Sequence, residues 1–308
     1  MRLAGLDAVR GVAALIVTVH HFQQIFRLPE LPISPAVSVY TFLVLSGFVM
    51  ARTYERRMVD RLTTATFLKL RYRRLFLPMA VGSTIGLIWA EMIVGLTGPI
   101  FASYLAILLF LPAPWLNSAF ALNIPAWSLF VEIFCNALHP LVIARAQRLG
   151  LTIGLCFALW TGFALTGHAR WGAGFIPIST MLPGAFGCYL IGVFTYRRWG
   201  DEPLGKVPLL ALAGLALASI ITKFAPLAEP LIVLMLCPLI LRWSLALPDW
   251  RWAIRIGALS FPLYAVHQPI MRLGFDLGIA PIWTALAVAI VAALVVLATQ
   301  RHIIPPTT

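Results

Sequence analysis

Residues 280–299 read APIWTALAVAIVAALVVLAT, twenty residues without a charged side chain. At ~1.5 Å per residue a helix of that length covers about 30 Å, the hydrocarbon thickness of a bilayer. The rest of the chain repeats the pattern. Of its 308 residues 61% are hydrophobic and 11% charged, whereas soluble domains are ~45–50% apolar. Apolar runs bounded by Pro, Gly and charge predict further spans over residues 6–26, 36–52, 78–97, 125–144, 151–167, 174–196, 207–222, 227–246 and 255–273. Residues 100–111 form an apolar run of about a dozen residues, too short for a typical crossing and expected to be a non-spanning helix. The expected fold class is therefore all-α. One polytopic membrane domain occupies residues 1–308, with about ten transmembrane helices plus one short non-spanning helix.

The 23 Lys and Arg outnumber the 11 Asp and Glu to give a net charge of +12. Because these charges sit between apolar runs, they report topology rather than a nucleic-acid surface. Residues 52–74 alone carry Arg52, Arg56, Arg57, Arg61, Lys69, Arg71, Arg73 and Arg74 against Glu55 and Asp60. The positive-inside rule makes this segment cytoplasmic. Counting outward places Arg145/Arg148, Arg197/Arg198/Lys206, Arg251/Arg255 and Arg301 on the same side, with Arg27, Arg170 and Lys223 opposite. Both termini then face the cytoplasm, in a plasma (inner) membrane. Parity requires that residues 100–111 do not cross. Asp7 and Arg10 interrupt the first apolar run, which is expected to be a retained span rather than a signal peptide. Cys135, Cys156, Cys188 and Cys237 lie in apolar stretches without a Cys-x-x-Cys, so packing is expected and neither a disulfide framework nor a metal site is indicated.

Ionisable side chains inside spans are costly and mark candidate sites. In the first span Asp7 and Arg10 are three residues apart, and His21 follows Arg10 by eleven, which returns to within about 20° of the same helical face. Thr18 lies near that stripe, while His20 points about 100° away and suits packing. Asp7 and Arg10 either pair with one another at the membrane surface or belong to a site.

Several blocks share a pattern. Leu6-Asp7-Ala8-Val9-Arg10-Gly11 with His21, Phe42-Leu43-Val44-Leu45-Ser46-Gly47-Phe48, Arg71-Tyr72-Arg73-Arg74 before Pro78, Trp127-Ser128-Leu129-Phe130-Val131-Glu132, and Ser260-Phe261-Pro262-Leu263-Tyr264 with His267 occur in order along most of the chain. In these blocks the sequence resembles the acyltransferase-3 family of integral-membrane O-acyltransferases. The resemblance implies transfer of an acyl group, usually acetyl, from an acyl-CoA donor to a hydroxyl on a glycan, a lipid-linked sugar or a metabolite. The expected partners are that donor, that acceptor and the lipid bilayer, with no nucleic acid. No permanently bound cofactor is expected.

A hydroxyl is a poor nucleophile near neutral pH and needs a base; histidine suits the task, and His21 is the candidate. Glu132 could orient its imidazole. Counted from the expected span ends, His21, Glu132 and His267 share a level roughly 8–11 Å below the outer surface. Arg10 lies ~16 Å nearer the cytoplasm than His21, a gap that a pantetheine-like arm could bridge. Arg71 and Arg74 are then candidate phosphate ligands, since guanidinium forks bind phosphate bidentately. The same arginines also read as a topology or anionic-lipid signal. Arg197/Arg198 or Arg251/Arg255 would be the fallback donor site. Ser46-Gly47 suits close helix packing. Trp127, Ser128, Tyr264 and His267 are candidates for the acceptor pocket, with packing or helix-to-helix hydrogen bonds as the competing reading. A transporter or flippase is the alternative function, and an acyl-responsive sensor a third.

The charge pattern predicts that cysteines introduced at Thr63 and Thr64 react only with membrane-permeant thiol reagents, whereas one near Gly167 labels from outside intact cells. Labels at Phe101 and Ala113 should report the same side. Opposite sides would make residues 100–111 a crossing.

Overall fold

The computed structural model describes residues 3–60, 62–167 and 175–303; Arg61 and Arg170 lie outside them. It is all-helical, with eleven α-helices among the described residues. In chain order they are α1 Ala4–Ile25, α2 Ala36–Asp60, α3 Thr64–Ile93, α4 Gly98–Leu108, α5 Ala126–Leu141, α6 Leu149–Leu165, α7 Phe175–Trp199, α8 Leu209–Phe224, α9 Glu229–Ser244, α10 Arg251–Asp276 and α11 Pro281–Ile303. Four stretches, Ala36–Met58, Thr64–Ile93, Pro226–Ser244 and Pro281–Thr299, are long and apolar enough to cross a membrane.

The basic segment is not a loop. Arg and Lys are good helix formers, and α2 and α3 continue through it to within three residues of one another, with Thr63 capping α3 by accepting from the Thr66 N–H at 3.2 Å. Arg71 and Arg74 consequently stand on α3 itself, in its first turns. Pro78, which bounds the expected span, lies inside α3 instead. Its ring removes one backbone N–H without ending the helix, because packing holds both sides of the interruption.

Close crossings rely on small residues, as expected where lipid supplies no hydrophobic drive between helices. A Cβ on Gly47 of α2 would stand 2.0 Å from the Tyr189 carbonyl oxygen of α7, and one on Gly192 would stand 1.9 Å from the Val44 carbonyl oxygen. On the other side of the bundle α1 lies against α10. Asp7 packs on Gly257, Ile256 on Gly11, and Phe26 meets Phe275 edge-on at 5.8 Å, so the two helices run in the same direction. In α10, Pro269 cannot supply the N–H that would satisfy the Ala265 carbonyl, and Asn123 Nδ2 donates to it at 2.9 Å instead.

After α4 the chain turns back toward the end where that helix began. Tyr72 Oη donates to the Leu108 carbonyl at 3.0 Å, and Trp115 Nε1 then donates to the Pro99 carbonyl at 3.1 Å and to Ser103 Oγ at 3.0 Å. The expected non-spanning segment is thus a short helix with a returning arm. That arm continues deep along α3, where the Leu122 carbonyl oxygen lies against Gly86 and Asn123 against Gly82.

Basic loops gather at one end of the bundle. Arg52 Nε pairs with Asp201 at 2.8 Å, and Arg197 binds Glu55 at 2.6 Å and the carbonyls of Ile143 and Ala146 at 2.7 and 2.6 Å. At the opposite end Lys223 pairs with Glu30 at 2.5 Å and Ser34 N–H bonds the Ser219 carbonyl at 2.8 Å. The four cysteines are buried and free.

Gly192→Ala should lower the stability of the detergent-purified protein by about 1–3 kcal/mol, since its methyl meets backbone that only helix separation can relieve. Gly154→Ala, which faces open space on α6, should leave thermal unfolding unchanged.

Candidate active site

A cavity of about 980 Å³ opens among α1, α2, α3, α5 and α10. It runs from Arg52 and Arg73 at the basic end, past Asp7, Arg10 and Arg74, to Ser46, Glu132, Ser128 and Tyr264 in the interior. Five arginines from three helices, Arg10 of α1, Arg52 of α2 and Arg71, Arg73 and Arg74 of α3, therefore line one space. Arg10 lies 3.8 Å from Asp7 on the next turn. Arg71 is 4% exposed, and its Nη2 donates to Glu132 Oε1 at 2.5 Å while its Nε–H has no acceptor. Arg74 is exposed into the cavity and has no ion-pair or hydrogen-bond partner among the described residues. Ser46 Oγ also donates to Glu132 Oε1, at 3.0 Å, so α2 contributes a hydroxyl to this carboxylate.

The inner end is closed by aromatic and hydroxyl groups. Ser128 Oγ donates to the Pro125 carbonyl at 3.1 Å, so its one proton is committed and Tyr264 Oη is the donor in their 2.8 Å bond. The Tyr264 ring meets Phe42 edge-on at 5.5 Å. Beyond this wall lies a pair of histidines. His21 Nδ1 is 2.8 Å from His267 Nε2, and His267 Nδ1 is 3.1 Å from the Leu263 carbonyl oxygen. The two rings meet edge to edge, their centroids 5.1 Å apart and their planes within 14°, and the His267 ring centroid is 6.0 Å from that of Tyr264. His267 is fully buried and His21 partly so; neither lines the cavity. His20 touches the pair only by a tilted ring at 5.8 Å.

Residues 3–300 match the family described as an acyltransferase domain, acyltransferase-3. The chain belongs to that family. One relative, "Protein 2 in picA locus" from Rhizobium radiobacter, is 36% identical over 159 residues, covering 46% of this chain and 82% of the relative. No solved structure matches. Between the function classes that the residues alone leave open, family membership selects acyl transfer by a membrane protein.

In this acyltransferase-3 member the fold groups the expected residues differently from the sequence reading. Glu132 was expected to orient His21; it instead neutralises Arg71, and His267 is the partner of His21. The depth estimate failed for a physical reason. It started α5 at the membrane surface, but the arm before α5 already sits at Gly82, about 16 Å down α3 from its end at Ile93. Glu132 is thereby carried to the level of the arginines, where a buried guanidinium needs a counter-charge. Ser128 and Tyr264 line the cavity, whereas Trp127 is buried beside it. Arg197, one member of the fallback donor sites, is committed to Glu55 and to two carbonyls. His139 joins the same structural cluster, bonding Tyr189 Oη at 2.7 Å and Glu55 at 3.2 Å. Asn123 is a site-supporting residue that the sequence reading missed, although a proline four residues after Ala265 signals a carbonyl in need of a donor.

Breaking the Arg71 and Glu132 pair leaves one charge unmatched. Glu132→Leu alone should destabilise by roughly 3–5 kcal/mol, while Arg71→Met/Glu132→Leu together should lose much less than the sum of the single changes. Denaturation of the purified variants, arranged as a double-mutant cycle, measures this.

Proposed function

We propose that this acyltransferase takes its acyl group from an acyl-CoA, foremost acetyl-CoA, and delivers it to a hydroxyl of a glycan, a lipid-linked sugar or a metabolite. The observation that carries the reading is the cavity shared by Arg10, Arg71 and Arg74 at the basic end. Phosphate groups suit such a site, because Arg74 has its fork open and Arg71 retains an N–H without an acceptor. Arg10 and His21 lie eleven residues apart on α1, so an arm of ~16 Å spans the distance from the phosphates to the histidine, and it reaches the imidazole when the wall of Tyr264, Ser128 and Phe42 opens to admit it.

In this reading ten helices cross the membrane and α4 dips in and returns, with the basic end and both termini cytoplasmic. The hydrogen bonds from Trp115 back to Pro99 and Ser103 support the return. The donor enters from the basic end, and the acceptor hydroxyl meets the thioester at His21. Its oxygen attacks the thioester carbon while His21 Nε2 takes the hydroxyl proton. The tetrahedral adduct then expels the thiolate, and the same proton passes from the imidazolium to sulfur. An ester and a free thiol leave, and the histidine is restored. Glu132 holds Arg71 in place and takes no part in the proton transfer.

Purified protein incubated with radiolabelled acetyl-CoA and glycan or lipid extracts should transfer label to an alkali-labile ester. His21→Ala should bind acetyl-CoA and transfer none. Arg74→Ala, which breaks no bond in the resting protein, should weaken donor binding about tenfold or more, the equivalent of a charge-assisted hydrogen bond of ~1.5–3 kcal/mol. Undiminished binding of acetyl-CoA by Arg74→Ala would remove the cavity as donor site.

A further inference from the structure

Carbonyl oxygens accept hydrogen bonds and never donate them, which makes the Leu263 carbonyl a fixed point for everything bonded beyond it. His267 Nδ1, 3.1 Å away, must carry a proton to bond it. In a neutral imidazole the other nitrogen is then a lone pair, so His267 Nε2 can only accept. The 2.8 Å contact between His267 Nε2 and His21 Nδ1 therefore requires the proton on His21 Nδ1. One nitrogen remains. His21 Nε2 is left without hydrogen, with its lone pair available.

We infer that His267 is a positioning residue that fixes the tautomer of His21, so that Nε2 of His21 is the basic atom. The inference rests on the reading of His21 as the base. It assigns to a backbone carbonyl and a second imidazole the task that a carboxylate performs in other histidine-centred sites. Helical geometry makes the chain rigid. Leu263 and His267 are one turn apart on α10, so the carbonyl lies beneath the ring it anchors. The near-coplanar, edge-to-edge alignment of the two rings, 14° apart in plane, and full burial of His267 restrict rotation of both. When His21 takes the proton of a hydroxyl, its Nδ1–H bond to His267 becomes charge-assisted and shortens its path to a stable imidazolium, without a buried counter-charge. A neutral partner also leaves the cavity arginines as the local charge, and these suit an anionic donor.

The test separates His267 from general packing by what each replacement can offer to His21 Nδ1–H. His267→Gln can place an amide oxygen there and should retain a substantial part of kcat. His267→Ala offers nothing, and His267→Lys offers only donors. Both should lower kcat by about 10²-fold or more, the range of a general base, with KM for acetyl-CoA nearly unchanged because the arginines are untouched. Acetyl-CoA binding by each variant confirms that it is folded. Histidine ¹⁵N spectra, assigned with His21→Gln, should show His21 protonated at Nδ1 in the parent and in His267→Gln, and a redistributed tautomer in His267→Ala. If His21→Ala abolishes transfer while His267→Ala keeps the parent kcat and the parent tautomer, the positioning role is wrong and His21 stands as base alone. Should His21→Ala itself transfer acetyl at the parent rate, the reading of His21 fails first.

Discussion

Because α1 and α10 run together in the same direction, with Asp7 seated on Gly257 and His21 bonded to His267, one helical seam holds the cavity residues and the histidine pair in register. Asp7 and Arg10 stand on the cavity side of that seam at the basic end, and the histidines stand some three turns further in. The spacing between them is a property of α1 alone, set by eleven residues of helix. What α10 adds is orientation. Its Leu263 carbonyl and Pro269 interruption decide which groups face α1 and which face α3.

Several buried polar groups in this bundle are matched across helices, since a low-dielectric interior makes an unmatched group expensive. The Ala265 carbonyl lost its helix partner to Pro269 and regains one in Asn123. Arg71 meets Glu132, and Glu55 is shared by Arg197 and His139. These pairs tie α2, α3, α5 and α7 at the basic end, while apolar contact, glycine crossings and scattered bonds such as His21 to His267 hold the remainder. The open fork in the cavity is Arg74, whose neighbours on the same helix are already committed or lie at its rim. Charge that would be a liability in a packed core is placed where a large cavity admits water and anions.

The order of apolar runs was readable from residues alone, and so was the helical face shared by Asp7, Arg10 and His21, because both follow from local periodicity. The short apolar run before the returning arm was also legible, as its length fits no crossing. What local reasoning could not reach was depth. Glu132 was placed with His21 by counting from a span end that residues 109–125 do not respect: they descend along α3 before α5 begins. The extent of α3 was likewise hidden, since Pro78 and a run of basic residues look like a boundary while packing carries the helix through both. His267 was legible as a candidate beside Tyr264, yet its bond to His21 depends on the approach of two helices nearly 250 residues apart in the chain.

The wall of Tyr264, Ser128 and Phe42 has a further consequence for the membrane that houses it. A cavity of about 980 Å³ lined by arginines is a polar indentation in an otherwise apolar bundle. Were it continuous with the histidine pair and with the opposite face, imidazoles, hydroxyls and water would together form a wire for protons. Tyr264 gives its hydrogen to Ser128 and Ser128 gives its own to a backbone carbonyl, so this chain of hydroxyls ends on an acceptor that cannot pass a proton onward. In the resting protein these hydroxyls therefore form no proton-passing link between the polar cavity and the histidine pair.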